Sequence, residues 1–148
     1  MKLQIYKSYI LKSYLSYFLL VTFVFFILTF LLNILGEIVF FEKYETGIQF
    51  PLLLTFLNTP SVLFELFPFI FLISSQLFFI NLQEKEELNL LKVTGIDNFS
   101  LLKLIISISV VLGLLLITLF YTFSSNLKYN YLTIKNKFTN DNKYLAAI

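Results

Sequence analysis

Three apolar runs separated by short charged segments dominate the chain. The first, YLSYFLLVTFVFFILTFLLNILG (Tyr14–Gly36), meets no charge until Glu37. As a helix its 23 residues extend about 34 Å, enough for a hydrocarbon core of about 30 Å. It is too long for the apolar core of a signal peptide, and no small-residue cleavage site follows, so it is expected to stay as a membrane span.

The second apolar region, Ile48 to Gln83, is longer than one span needs. Pro60 and Pro68 divide it, and NTPSVLFE resembles a helix start, with Thr59 as N-cap and Pro60 at the first helical position. This predicts an interfacial helix over Phe50–Leu57 and a true span over Pro60–Asn81, kinked inside by Pro68. The third span is expected over residues 99–124, where Ser107, Ser109, Gly113 and Thr118 allow close helix contact. The remaining NLKYNYLTIKNKFTNDNKYLAAI is polar and is expected to leave the membrane.

Between spans two and three lies QEKEELNLLKVTGIDNF (Gln83–Phe99). Glu84, Glu86 and Glu87 stand at its start, where negative charge suits the helix dipole, and Lys92 stands near its end. Leu88, Leu91 and Thr94 repeat at helical spacing, Gly95 suits a C′ position, and Asp97 or Asn98 suits the cap of the next helix. A short amphipathic helix over residues 84–94 follows.

Composition agrees with a membrane protein: 58% of the 148 residues are hydrophobic and only 14% are charged, against about a quarter charged in soluble domains. Cys and His are absent, which excludes disulfides, thiolate and imidazole chemistry and the usual zinc sites. The four glycines form no G-x-x-x-x-G-K loop, so nucleotide phosphates cannot be held in that way. Paired carboxylates occur only in the charged loop, and nothing supports an enzyme. A net charge of +2 without a basic-aromatic surface gives no sign of nucleic-acid binding.

Lys2, Lys7 and Lys12 crowd the start of span one and predict a cytoplasmic N-terminus by the positive-inside rule. The loop after span one is acidic (Glu37, Glu42 and Glu45 against Lys43), and the loop after span two carries Lys85, Lys92 and Lys103. Lys128, Lys135, Lys137 and Lys143 in the tail run against this orientation.

A Tyr9-Ile10 pair precedes span one, Pro60 and Pro68 are eight apart, Phe69 follows, and EELNLLKVTGI closes the array. This order of elements resembles that of the LptF/LptG lipopolysaccharide export permeases, also called YjgP/YjgQ. Glu87, Leu88, Leu91 and Gly95 fall on the family's loop pattern. The resemblance covers the first half of the family's architecture, so it implies an all-α membrane chain of three transmembrane helices, N-terminus inside. Residues 1–127 would form a half-domain and 128–148 a periplasmic segment leading into a β-jellyroll that this sequence lacks, as expected of a fragment.

The family resemblance also implies a function. Such a permease pairs with a paralogous permease subunit in the bacterial inner membrane, and an LptB-like cytoplasmic ATPase dimer drives extraction of lipopolysaccharide toward an LptC-like periplasmic bridge protein. The chain itself would bind no cofactor, ATP being used by the partner. The loop helix would be the coupling helix, with Glu87 reaching the ATPase; a merely solvated loop is the alternative. Candidate substrate-cavity residues are Phe26, Phe30, Asn33, Lys43 and Glu65, with lipid-facing or structural roles as alternatives. Where some members carry lysines late in span one, an overlay on Tyr9 and Pro60 puts Asn33, Val39 and Phe40. A different class of function, a non-transporting three-span scaffold, also fits the small residues of span three.

Overall fold

A computed structural model describes residues 2–44, 47–93, 95 and 97–138 of the chain, with side chains from Tyr6 onward. Glu45, Thr94 and Lys143, each given a place in the sequence argument, lie outside the described residues. Among the described residues there are helices and no strand. Helix α1 spans Lys2–Phe41 and is followed by a 3₁₀ turn at Glu42–Tyr44. Helix α2 spans Gln49–Glu84, α3 spans Glu87–Val93, and α4 spans Asn98–Leu115. A π-helical segment, Leu116–Phe120, joins α4 to α5, Tyr121–Phe138.

Three of these stretches are long and apolar enough to cross a membrane: Tyr6–Tyr44, Gln49–Glu84 and Asn98–Phe138. Each exceeds the roughly 20 residues a crossing needs. Many large apolar side chains stay exposed within the protein, among them Phe23, Leu32 and Leu119. That is a liability in water but not in lipid, whose tails are as apolar as leucine.

Two expectations are corrected here. Residues 50–57 and 60–81 do not form separate helices, because α2 runs through Thr59, Pro60 and Pro68 without a break. Thr59 is no N-cap: its hydroxyl donates to the Thr55 carbonyl at 2.7 Å, and the Thr55 hydroxyl donates to the Pro51 carbonyl at 2.8 Å. Leu54, Thr55, Thr59 and Pro60 are all buried, so packing carries the helix past the N–H that Pro60 lacks. The third helical stretch does not end at residue 124 but continues to Phe138, on a face that buries Tyr131, Leu132 and Lys135.

The chain divides into two compact units, Met1–Phe23 with Phe67–Leu116, and Val24–Leu66 with Ile117–Ile148. In the first, Ile10, Tyr14, Phe78, Leu82, Leu101 and Ile105 form the core. The Tyr14 hydroxyl lies 2.8 Å from the Ser109 hydroxyl and 3.3 Å from that of Ser75, joining α1, α2 and α4 through polar contacts. Interhelical hydrogen bonds of this kind specify pairing where no hydrophobic force acts between helices. In the second unit the core is Phe41, Leu54, Tyr131 and Leu132, with Phe40, Leu57, Ile134 and Phe138 packed on it.

Candidate functional site

The charged loop becomes a helix bounded at both ends by left-handed residues. After α2 ends, the amides of Lys85 and Glu86 donate to the carbonyls of Asn81 and Gln83, both at 3.1 Å. Glu86 takes φ 55°, a conformation that strains a side chain, and its carbonyl then accepts from the amides of Asn89 and Leu90. At the other end Gly95 takes φ 85°, and its amide donates to the Lys92 carbonyl at 3.0 Å, as a glycine past a helix end should. Asp97 then caps α4, its Oδ1 accepting from the Ser100 amide at 3.1 Å. That interaction with Ser100 holds the Asp97 carboxyl below its usual pKa, and the charge of Lys103 adds to the effect.

A helix of seven residues cannot stand alone, since isolated helices under about 12 residues are marginal in water. Two contacts within the first unit hold it. Leu88 packs on the core formed by α1, α2 and α4. Glu87 accepts at Oε1 from the Tyr9 hydroxyl at 2.9 Å. Its Oε2 is buried without a hydrogen-bond partner, and Glu87 is only half-exposed. The outward face is instead made by Glu86, Asn89, Leu90, Lys92 and Val93, with Val93 87% exposed.

Of the loop residues singled out from sequence, Glu84 ends α2 and Glu86 forms the turn, both exposed, while Leu88 and Leu91 are half-buried. Glu87 is turned inward more than a solvent-facing contact requires. Tyr9, which the sequence offered only as part of a resemblance, is its partner.

The candidate cavity residues all belong to the second unit but do not converge on one point. Phe26 and Phe30 stack along α1 with centroids 6.3 Å apart. Asn33 Oδ1 accepts from Asn58 Nδ2 at 3.4 Å. Lys43 is exposed in the 3₁₀ turn. Glu65 faces Lys128 at 4.0 Å, with the Glu65 side chain largely exposed and Lys128 half-buried. Pro60 is buried in α2, and Pro68 is exposed on it.

A polar cluster in this unit was not foreseen. Glu37 Oε1 accepts from the Lys135 ammonium and from the Tyr131 hydroxyl, each at 2.7 Å, and Lys135 also donates to Tyr131 at 2.7 Å. Lys135 lies 4.5 Å from the centre of the Phe40 ring. Glu37 and Lys135 are both buried, 4% and 9% exposed. The signal was present as Tyr131, Leu132, Lys135 and Phe138 at helical spacing, but it was hidden in a stretch that is polar by composition.

No curated protein and no solved structure matches the chain. One family model does, that of the lipopolysaccharide export system permease LptF/LptG, over residues 8–147. That match takes in the second and third apolar helical stretches and all but the first two residues of the first, with the Tyr9–Glu87 contact and α3, and the chain is accordingly a member of the LptF/LptG family of transporter permeases.

Proposed function

We propose that the chain acts as a permease subunit in ATP-driven extraction of lipopolysaccharide from the bacterial inner membrane, with α3 as the element that receives force from a cytoplasmic ATPase. The observation that supports this best is the mounting of α3. It is short, stopped at both ends, packed on the core by Leu88 and hydrogen-bonded to α1 through Glu87 and Tyr9. A displacement applied to such a helix would pass into the core of α1, α2 and α4 through Leu88 and into α1 through Glu87. The exposed face bearing Glu86, Leu90 and Val93, with Glu84 beside it, would meet an LptB-like ATPase dimer, and Glu87 would link that face to α1.

In this account the N-terminus is cytoplasmic. Lys7, Lys12, Lys85, Lys92 and Lys103 then share the cytoplasmic side, as the positive-inside rule favours. The tail lysines that oppose this orientation are partly accounted for, since Lys128 and Lys135 each face a glutamate. A paralogous permease subunit would complete the lipopolysaccharide cavity, toward which Phe26, Phe30, Asn33, Lys43 and Glu65 would contribute. An LptC-like bridge protein would receive the substrate. ATP would be bound by the partner, this chain having no phosphate-binding loop.

The experiment is depletion of the protein in its own cells, followed by measurement of newly made lipopolysaccharide reaching the cell surface. Arrest of that transport, with lipopolysaccharide building up in the inner membrane, is expected. Unchanged delivery would sink the transport role and favour a scaffold.

A further inference from the structure

Within the first unit, α1 and α4 run in parallel, since Tyr14 meets Ser109 while Tyr6 and Lys7 lie level with Ser100 and Lys103. Between them lies a cavity of about 660 Å³ whose lining is graded along the helix axis. Lys7, Ser100 and Lys103 stand at the end nearest the loop, while Leu11, Leu104 and Ile108 lie further into the span. Residues 100, 103, 104 and 107 repeat at the spacing of one helical face, so the lining of α4 is a continuous stripe.

Neither lysine has a carboxylate within 4.0 Å among the described residues. Lys103 instead lies 4.7 Å from the centre of the Phe99 ring. The charge of Lys103 favours the ionised form of Asp97, whose carboxylate accepts from Ser100. The Tyr6 hydroxyl, on a residue that lines the same cavity, is buried without a partner.

From this arrangement we infer a binding site for an anionic glycerophospholipid. Its phosphate would lie between Lys7 and Lys103, and an acyl chain would run along Leu11, Leu104 and Ile108. Basic pockets between transmembrane helices at the cytoplasmic end suit acidic head groups. The apolar depth of the cavity selects a lipid over a free phosphate, which would leave Leu11 and Ile108 uncovered. The site stands apart from lipopolysaccharide transport and rests on the cytoplasmic orientation proposed for this end of α1 and α4.

Native mass spectrometry of the full chain, released from micelles containing dioleoyl-phosphatidylglycerol or dioleoyl-phosphatidylcholine, tests it. The anionic phosphatidylglycerol should be retained at least about tenfold better than the zwitterionic phosphatidylcholine, and Lys7→Gln with Lys103→Gln should reduce its retention by roughly 30-fold, about fivefold per lysine. Lys7→Arg with Lys103→Arg should keep the retention, and inorganic phosphate at millimolar concentration should not displace the lipid. Equal retention of the two lipids, an unaffected glutamine variant, or full displacement by inorganic phosphate would each overturn the assignment.

Discussion

The Tyr9 hydroxyl donates to Oε1 of Glu87 at 2.9 Å across 78 positions of sequence, linking the start of α1 to the first residue of α3. Since Oε2 has no hydrogen-bond partner, this bond is the side chain's hydrogen-bonded tie to α1. Tyr9→Phe keeps the ring and removes the bond. Tyr9 is 46% exposed, which discounts the usual strength of a bond to a charged group to about 1 kcal/mol. Hydrogen exchange of the Leu90 and Leu91 amides should then quicken about fivefold, while the amides of α4 stay unchanged.

The Glu37–Lys135 pair is a second tie, this one buried. Glu37→Gln leaves the Lys135 ammonium without its counter-charge, and breaking a buried pair from one side typically costs about 3–5 kcal/mol. Unfolding in mixed micelles should show a loss of that order for Glu37→Gln. A companion variant, Glu37→Gln with Lys135→Met, should recover part of it. Additive losses in the double variant would mean the two side chains do not act as a pair.

Tyr14 joins three helices through one hydroxyl. In lipid an interhelical hydrogen bond averages about 0.6 kcal/mol and reaches about 1.7 kcal/mol. Tyr14→Phe should therefore lower stability in micelles by about 1 kcal/mol, without changing helix content by circular dichroism.

Asp97 gives the loop a pH dependence of known sign. Its carboxyl sits below the ordinary value of 3.8 in the folded protein, because Ser100 and then Lys103 favour the charged form. The stabilisation is thus complete above the ordinary carboxylate range and is lost as pH falls through the lowered folded value. Protection of the Ser100 amide, corrected for intrinsic exchange, should drop as pH is taken from about 5 toward about 3. Asp97→Asn, which keeps a capping oxygen, should flatten that dependence.

Much of this architecture is legible in the sequence. The apolar runs mark three spans, and Gly95 and Asp97 mark the end of one helix and the start of the next. Pro60 misleads because its local chemistry is that of a helix start, whereas burial of Leu54, Thr55 and Thr59 decides the outcome in the folded chain. The length of α5 was hidden for a related reason. Asn, Lys and Tyr make residues 126–138 polar on average, yet only one face of them packs, and a single buried acid on α1 accommodates Lys135. The inward turn of Glu87 could not be read at all, since it depends on Tyr9, distant in sequence and close only after folding.

The central claim is that α3 passes force between an ATPase and the spans. Its most direct test is Glu87→Arg in the full-length protein, purified with its partner permease and ATPase and assayed for lipopolysaccharide-stimulated ATP hydrolysis. The reversal removes the link to Tyr9 and puts a cation where a carboxylate stood. Loss of stimulation, with the permease pair still assembled in the membrane, is the result expected. Stimulation and ATPase co-purification equal to wild type would contradict the account.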